Sequence, residues 1–162
     1  MKTLYLVRHA KSSWQEPSLA DKQRPLNKRG HASAEDMGQR LKQRGVTLDL
    51  MISSPALRAI TTAGYLADAI DYPESAIQQE SSLYFSGASS MLEVVQGCDP
   101  SLSTLMLVGH NPDMTAFTNY LCGYHTDNMP TCAISTIEFE GEWACITKMS
   151  GTLANYDYPK KV

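Results

Sequence analysis

The chain has 162 residues, of which 43% are hydrophobic and 19% are charged, and its formal net charge is −3 at pH 7. This size and composition are those of one globular domain over residues 1–162 and exclude a disordered or fibrous chain. The acidic balance argues against nucleic acid as a partner, because phosphate backbones are bound by basic surfaces. No apolar run approaches the roughly 20 residues that span a bilayer, and Arg8 interrupts the first one too early for a signal peptide. We therefore expect a cytoplasmic protein without membrane contact.

The first predicted strand covers residues 4–7 and ends at Arg8-His9. The polar segment over 11–28 that follows is longer than ordinary connections, and loops of this length are usually functional. A helix is predicted over 32–44, where apolar residues recur on one face before a glycine ends the pattern.

The middle of the chain alternates between strand and helix patterns. Ser54-Pro55 stands between a predicted strand and a predicted helix, and we expect Ser54 to be the N-cap of that helix. The predicted elements are a strand over 48–52, a helix over 56–70, a helix over 91–96, a strand over 105–108 and a helix over 112–121.

The last part of the chain contains two segments, 134–139 and 143–148, that alternate like the arms of an antiparallel hairpin. Together with the alternating strands and helices before them, they predict a three-layer α/β/α sandwich. Its central sheet is expected to be mixed and mostly parallel, with the hairpin as antiparallel edge strands.

Three predicted strands are followed by arginine or histidine residues, whose side chains are suited to binding anions. Arg8 and His9 follow the first, Arg58 lies in the first turn of the helix after the second, and His110 follows the third. In open α/β sheets this edge is where ligands bind, and helix N-termini there offer free N–H groups. Singly, each arginine could be a solvated cation and each histidine a structural residue. Their coincidence at three strand ends indicates a pocket for phosphate or carboxylate.

These segments resemble the motifs of the histidine phosphatase (phosphoglycerate mutase-like) superfamily. The chain has LVRHA at 6–10, which is similar to the Arg-His-Gly signature with alanine in place of glycine. It has SSPxxR at 53–58 and VGH at 108–110, which resemble the second arginine and second histidine motifs. Within the superfamily, RHAKSSW at 8–14 and RPLxxRG at 24–30 are most similar to the SixA-type phosphohistidine phosphatases.

The resemblance implies that His9 is a nucleophile that attacks phosphorus and carries the phosphoryl group. It implies phosphate contacts from Arg8, Ser12, Gln15, Arg58 and His110. Since the sequence has no acidic cluster with ligand spacing, we expect neither a metal nor a cofactor.

One position departs from the pattern of relatives that cleave phosphate esters. Those relatives carry a glutamate or aspartate where this chain has Tyr84. Glu80 and Asp21 are the remaining candidates for a proton donor. An alkoxide leaving group needs such a donor, whereas an imidazole leaving from phosphohistidine needs far less help.

The departure favours a phosphatase for phosphohistidine on a signalling or phosphotransfer protein. A phosphatase of a small phosphoester or phosphoanhydride metabolite is the second interpretation. A non-catalytic phosphate-binding domain is the third.

Overall fold

A six-stranded mixed sheet forms the centre of the computed structural model, which describes residues 1–161. Its strands are β1 (Lys2–Arg8), β2 (Leu50–Ser53), β3 (Gln78–Gln79), β4 (Thr104–Gly109), β5 (Ile134–Phe139) and β6 (Thr152–Asp157). Their spatial order is β3-β2-β4-β1-β5-β6. The first four in this order are parallel, and β5 is antiparallel to both β1 and β6. The mostly parallel mixed sheet is confirmed.

Four α-helices cover the two faces of this sheet, α1 (Lys28–Gln43), α2 (Leu57–Ala69), α3 (Ala88–Gln96) and α4 (Asp113–Cys122). Alternate residues of β1 point to opposite faces. Leu4 and Leu6 pack in one apolar cluster with α3 and α4, and Val7 packs in another with α1 and α2. The three-layer architecture is therefore confirmed. None of the helices in residues 1–161 is long and apolar enough to cross a membrane.

The start of α1 differs from the prediction, because the helix begins at Lys28 rather than at residue 32. The side chain of Asn27 accepts a hydrogen bond from the Gly30 N–H at 2.8 Å and caps the helix. The predicted N-cap of α2 is also wrong. Ala56 takes that position, and the hydroxyl of Ser54, two residues earlier, accepts the Ala56 N–H at 3.2 Å.

The second arm of the predicted hairpin is misplaced. Residues 143–145 form a short 3-10 turn, and the strand that pairs with β5 is β6. The reason is the burial of Trp143, whose indole N–H donates to the Leu102 carbonyl at 2.7 Å. The chain returns to the sheet at Gly151, where a Cβ atom would lie 2.5 Å from Ile137 Cγ2.

Gly30 lets α1 start against the loop that follows β1, since a Cβ atom there would lie 2.1 Å from the Lys11 carbonyl oxygen. We expect Gly30→Ala to lower the free energy of unfolding by about 1–3 kcal/mol through overpacking, although alanine has the higher helix propensity. Chemical denaturation measures the difference. Gly141→Ala is the matched control, because its nearest contact would be Cys145 Cβ at 4.0 Å. A Gly30→Ala variant as stable as this control would contradict the prediction.

Candidate active site

Three of the predicted site segments meet at one edge of the sheet, because β2, β4 and β1 are neighbours in that order. The His9 N–H donates to the Gly109 carbonyl at 3.0 Å, and the Ser54 N–H donates to the Val108 carbonyl at 2.9 Å. These bonds continue the backbone pairing just beyond the strands. They fix the chain positions from which the site side chains project.

The two histidines form a close pair with their ring centroids 5.0 Å apart. His9 Nδ1 lies 2.7 Å from the Ala10 carbonyl oxygen. A carbonyl only accepts, so Nδ1 carries the proton and Nε2 keeps the lone pair. The Nε2 atom of His110 is 2.8 Å from the Ser54 hydroxyl, and its buried Nδ1 has no hydrogen-bond partner within residues 1–161.

Both imidazoles are neutral at neutral pH. Burial lowers the pKa of His9 to about 4; the hydrogen bond to Ala10 opposes this effect, and the charges of Arg58 and Arg8 reinforce it. Burial, followed by His9 and Arg58, lowers the pKa of His110 to about 3. Because only an imidazole with a free lone pair can attack phosphorus, the environment keeps His9 in the form that a nucleophile requires.

The lowered pKa of His9 predicts that its ring stays neutral under mildly acidic conditions. We expect the imidazole to be unprotonated at about pH 5, where a histidine with an ordinary pKa of about 6.5 is mostly charged. An NMR titration of the ring protons measures the midpoint, and the spectrum of His9→Ala assigns the signal. A midpoint near the ordinary histidine value would contradict the prediction.

Two arginines from the sequence prediction lie at this edge. Arg58 is 2% exposed. It donates to the Asp21 backbone carbonyl at 2.7 Å and to Asp21 Oδ2 at 2.8 Å. Arg8 donates through Nη1 to the Met129 carbonyl at 2.8 Å, and its buried Nε has no partner within residues 1–161. Both guanidinium groups contribute to the electrostatic environment that lowers the pKa of His9.

Arg24 is a third arginine at this edge, to which the sequence interpretation gave no role. It is 7% exposed. It donates to Asp21 Oδ1 at 3.0 Å and to the Ser12 hydroxyl at 2.6 Å, and its charge also lowers the pKa of His9. The RPL motif that begins at this residue was the available signal. Of the two predicted polar contacts on the loop, Ser12 is bonded to Arg24, whereas Gln15 is exposed.

Asp21, one of the two candidates for a proton donor, lies beside Arg24 and Arg58, but its carboxyl group is ionised. Its carboxylate accepts hydrogen bonds from Arg58, from Arg24 and from the Tyr84 hydroxyl, the last at 2.5 Å. Burial alone would raise the pKa of Asp21, but these three donors outweigh it and hold the pKa well below its usual range. An ionised carboxylate can accept a proton but has none to donate.

Glu80 is not brought to the histidine pair. Its carboxylate accepts a hydrogen bond from the Ser82 hydroxyl at 2.8 Å and lines a separate groove that includes Leu50 and Glu93. Two aromatic side chains further along this segment do reach the pair: the ring centroids of Tyr84 and Phe85 lie 5.4 Å and 4.5 Å from that of His110.

Thr62 is a second residue that the sequence interpretation missed. Its hydroxyl accepts the Ala10 N–H at 2.9 Å and donates to the Arg58 carbonyl at 2.8 Å. A single buried hydroxyl thus joins the residue after His9 to the helix turn that carries Arg58. Nothing in the helical sequence around Thr62 marks it, because the contact joins positions that are 52 residues apart.

The site holds three guanidinium groups and one carboxylate beside two neutral imidazoles. Over residues 1–161, no three His, Cys, Asp or Glu side chains are grouped so that they could hold a metal ion. The arrangement suits a compact oxyanion, since arginines bind phosphate oxygens in a bidentate manner.

Residues 4–83 match the family "Histidine phosphatase superfamily (branch 1)". An uncharacterized chloroplastic protein of Arabidopsis thaliana is 31% identical to the chain over 157 residues, which are 91% of this chain and 72% of that protein. The chain belongs to the histidine phosphatase superfamily.

Two solved structures show how closely this histidine phosphatase fold is shared. The SixA protein of Agrobacterium tumefaciens is 25% identical, with a TM-score of 0.81 and 98% of each chain covered. The protein histidine phosphatase SixA in complex with tungstate is 22% identical, with a TM-score of 0.81 and 97% of each chain covered. Members of the superfamily with the SixA fold therefore match this chain over almost its whole length.

Proposed function

We propose that this histidine phosphatase superfamily member removes the phosphoryl group from phosphohistidine on a signalling or phosphotransfer protein, through a phosphohistidine intermediate on His9. The observation that carries the proposal is the state of Asp21. This carboxylate lies beside the site and is held ionised by Arg58, Arg24 and Tyr84. A substrate whose leaving group needs no proton donor fits such a site best. The likeness to SixA structures supports the same choice.

In the first step, His9 Nε2 attacks phosphorus and the phosphorus–nitrogen bond of the substrate breaks. A substrate imidazole that is protonated on its other nitrogen leaves as neutral imidazole and takes the bonding electron pair. His9 keeps its Nδ1 proton, which is bonded to the Ala10 carbonyl, and becomes a phosphorylated imidazolium. Since one imidazole replaces another, the bond that forms is of the same kind as the bond that breaks.

In the second step, water attacks the phosphorus of the intermediate and the bond between phosphorus and His9 Nε2 breaks. Nε2 takes the bonding electron pair, and both protons of the water stay with the product, which leaves as dihydrogen phosphate. His9 returns to its neutral form. Arg8 and Arg58 stabilise the charge on the transferring oxygens. When the Ser54 hydroxyl donates to His110 Nε2, the His110 proton lies on Nδ1, the buried nitrogen without a partner within residues 1–161, and this N–H serves as a further donor to the phosphoryl group.

The surroundings of the site support a protein substrate. Trp14 is 76% exposed, and its ring centroid lies 3.2 Å from the guanidinium carbon of Arg24. Phe85 is 47% exposed and stacks on His110 with ring centroids 4.5 Å apart. Aromatic side chains are enriched at protein interfaces, where they act as anchors. A small metabolite would leave most of this apolar surface uncovered.

A comparison of leaving groups tests the proposal. We expect kcat/KM for phosphate esters to rise as the leaving alcohol becomes more acidic, so that an aryl phosphate exceeds an alkyl phosphate by at least about a hundredfold. Phosphohistidine on a carrier protein should be cleaved rapidly without an acidic leaving group. The assay compares these three substrates side by side.

Asp21→Asn and Glu80→Gln are the control variants for the second interpretation, a phosphatase of small phosphoesters or phosphoanhydrides. We expect both variants to retain most of their activity on phosphohistidine. Equal cleavage of alkyl and aryl phosphates, with a sharp loss in one of these variants, would instead assign an acid and favour the small-molecule substrate. Binding of phosphate without any turnover would favour the non-catalytic interpretation.

A further inference from the structure

A groove of about 230 Å³ lies beside the site, between the start of α1, the segment before β5 and the tail after β6. Its walls combine apolar rings with cationic side chains. The apolar residues are Pro130, Tyr158 and Pro159, and the cationic residues are Lys11, Arg29 and Lys160. This combination suits side chains that have an apolar stem and an anionic end.

The groove is joined to the backbone of the site. Lys11 lies two residues after His9. On the other wall, Pro130 and Thr131 stand between two residues that bond to the site. The Met129 carbonyl accepts a hydrogen bond from Arg8 at 2.8 Å, and the Cys132 N–H donates to the His9 carbonyl at 3.1 Å. Both walls of the groove are therefore formed by segments that are directly bonded to, or continuous with, the backbone at His9.

The positive charge of the groove is not balanced within the described structure. Among residues 1–161, no carboxylate lies within 4.0 Å of the cationic groups of Lys11, Arg29 or Lys160, and none lines the groove. The chain as a whole carries a net charge of −3. The groove is thus a local positive surface on an acidic protein, which attracts anionic groups.

The wall formed by the tail is held in place by Arg40. Its guanidinium donates to Asp157 Oδ1 and the Tyr158 carbonyl, both at 2.9 Å, and to the Pro159 carbonyl at 2.7 Å. A wall that is fixed before binding lowers the entropic cost of complex formation.

We propose that the groove binds acidic side chains that flank the phosphohistidine on the protein substrate. The inference rests on the proposed function and adds to it the charge of the sequence that the enzyme prefers. Carboxylates of the partner pair with the three cations, while their methylene stems pack on the prolines and Tyr158. Complementary charge of this kind sets partner choice and the rate of encounter.

The test uses two peptides of equal length, each phosphorylated on a single central histidine. One carries glutamates on both sides of that histidine and the other carries lysines at the same positions. Free phosphohistidine is the third substrate. At low salt we expect kcat/KM to be about tenfold higher for the glutamate peptide, from several exposed ion pairs of modest strength. The preference should shrink as salt screens these charges.

The variant Arg29→Glu/Lys160→Glu should lose or reverse this preference. Its kcat/KM for free phosphohistidine should stay within about twofold of the original, because neither residue is among the histidines, arginines and Asp21 of the candidate active site. Lys42→Glu/Lys148→Glu is the matched control, since it changes the net charge equally at exposed positions outside the groove. This control should retain the preference.

Each outcome separates the two proposals. If the unmodified enzyme cleaves no phosphohistidine substrate, the proposed function fails and the role of the groove fails with it. If it cleaves both peptides equally, or if the preference survives in Arg29→Glu/Lys160→Glu, the function stands and the groove proposal is overturned. Equal loss of preference in the control pair would also overturn it, because net charge alone would then explain the selection.

Discussion

The variant His9→Ala is expected to lose turnover of phosphohistidine by more than about a thousandfold, as removal of a nucleophile does in other covalent mechanisms. The fold should persist, because His9 follows the end of β1 and belongs to neither apolar cluster, and its backbone bond to Gly109 does not need the imidazole. Steady-state kinetics measures the loss, and circular dichroism verifies the fold.

The matched control is His31→Ala, which removes a histidine of α1 that bonds to Tyr65. It should retain full activity. A second readout is the intermediate itself. Brief reaction with phosphohistidine should label the unmodified protein with phosphate that is labile in acid and stable in alkali, and His9→Ala should not be labelled. Substantial turnover or labelling of His9→Ala would assign the nucleophile to another residue.

The variant Arg58→Ala is expected to lower kcat/KM by about a hundredfold to a thousandfold, with much of the loss in kcat. Arg58 would contact oxygens that gain charge as the phosphoryl group transfers, so its removal affects the transition state more than the bound substrate. Binding of vanadate should weaken as well. Kinetics on phosphohistidine and titration with vanadate measure the two effects.

Removal of Arg58 also breaks its ion pair with Asp21, and Asp21→Asn separates the two consequences. That variant weakens the pair but keeps the guanidinium, and it should retain most of the turnover. Arg58→Lys should recover only part of the activity, because an ammonium cannot make bidentate contacts. If Arg58→Ala changed KM alone and left kcat unchanged, the residue would act only in substrate docking.

The parts of the fold that the sequence predicts are those with strong local patterns. The apolar runs that became β1, β2 and β4 end at residues whose side chains meet in the structure, because parallel strands bring their carboxyl ends to one edge. The two-residue strand β3 has no such pattern and was missed. The error at 143–148 has a tertiary cause, since the burial of Trp143 outweighs the local alternation.

Site residues that stand in a recognisable motif could be predicted from the sequence. Site residues that are placed by tertiary contacts could not. His9, Arg8, Arg58 and His110 stand in short motifs at strand ends. The positions of Arg24 and Thr62 depend on the path of the long loop and on the packing of α2, which no local pattern encodes. The ionised state of Asp21 likewise depends on Tyr84, 63 residues further along the chain.

The hydroxyl of Thr62 has a consequence for thermal motion in the site. Since it holds both the amide that follows His9 and the carbonyl of Arg58, small shifts of α2 against the sheet move both residues in the same direction. Their separation then fluctuates less than the position of either one. Thr62→Val would change the shape little but would remove this link and leave the Ala10 N–H without its hydroxyl acceptor.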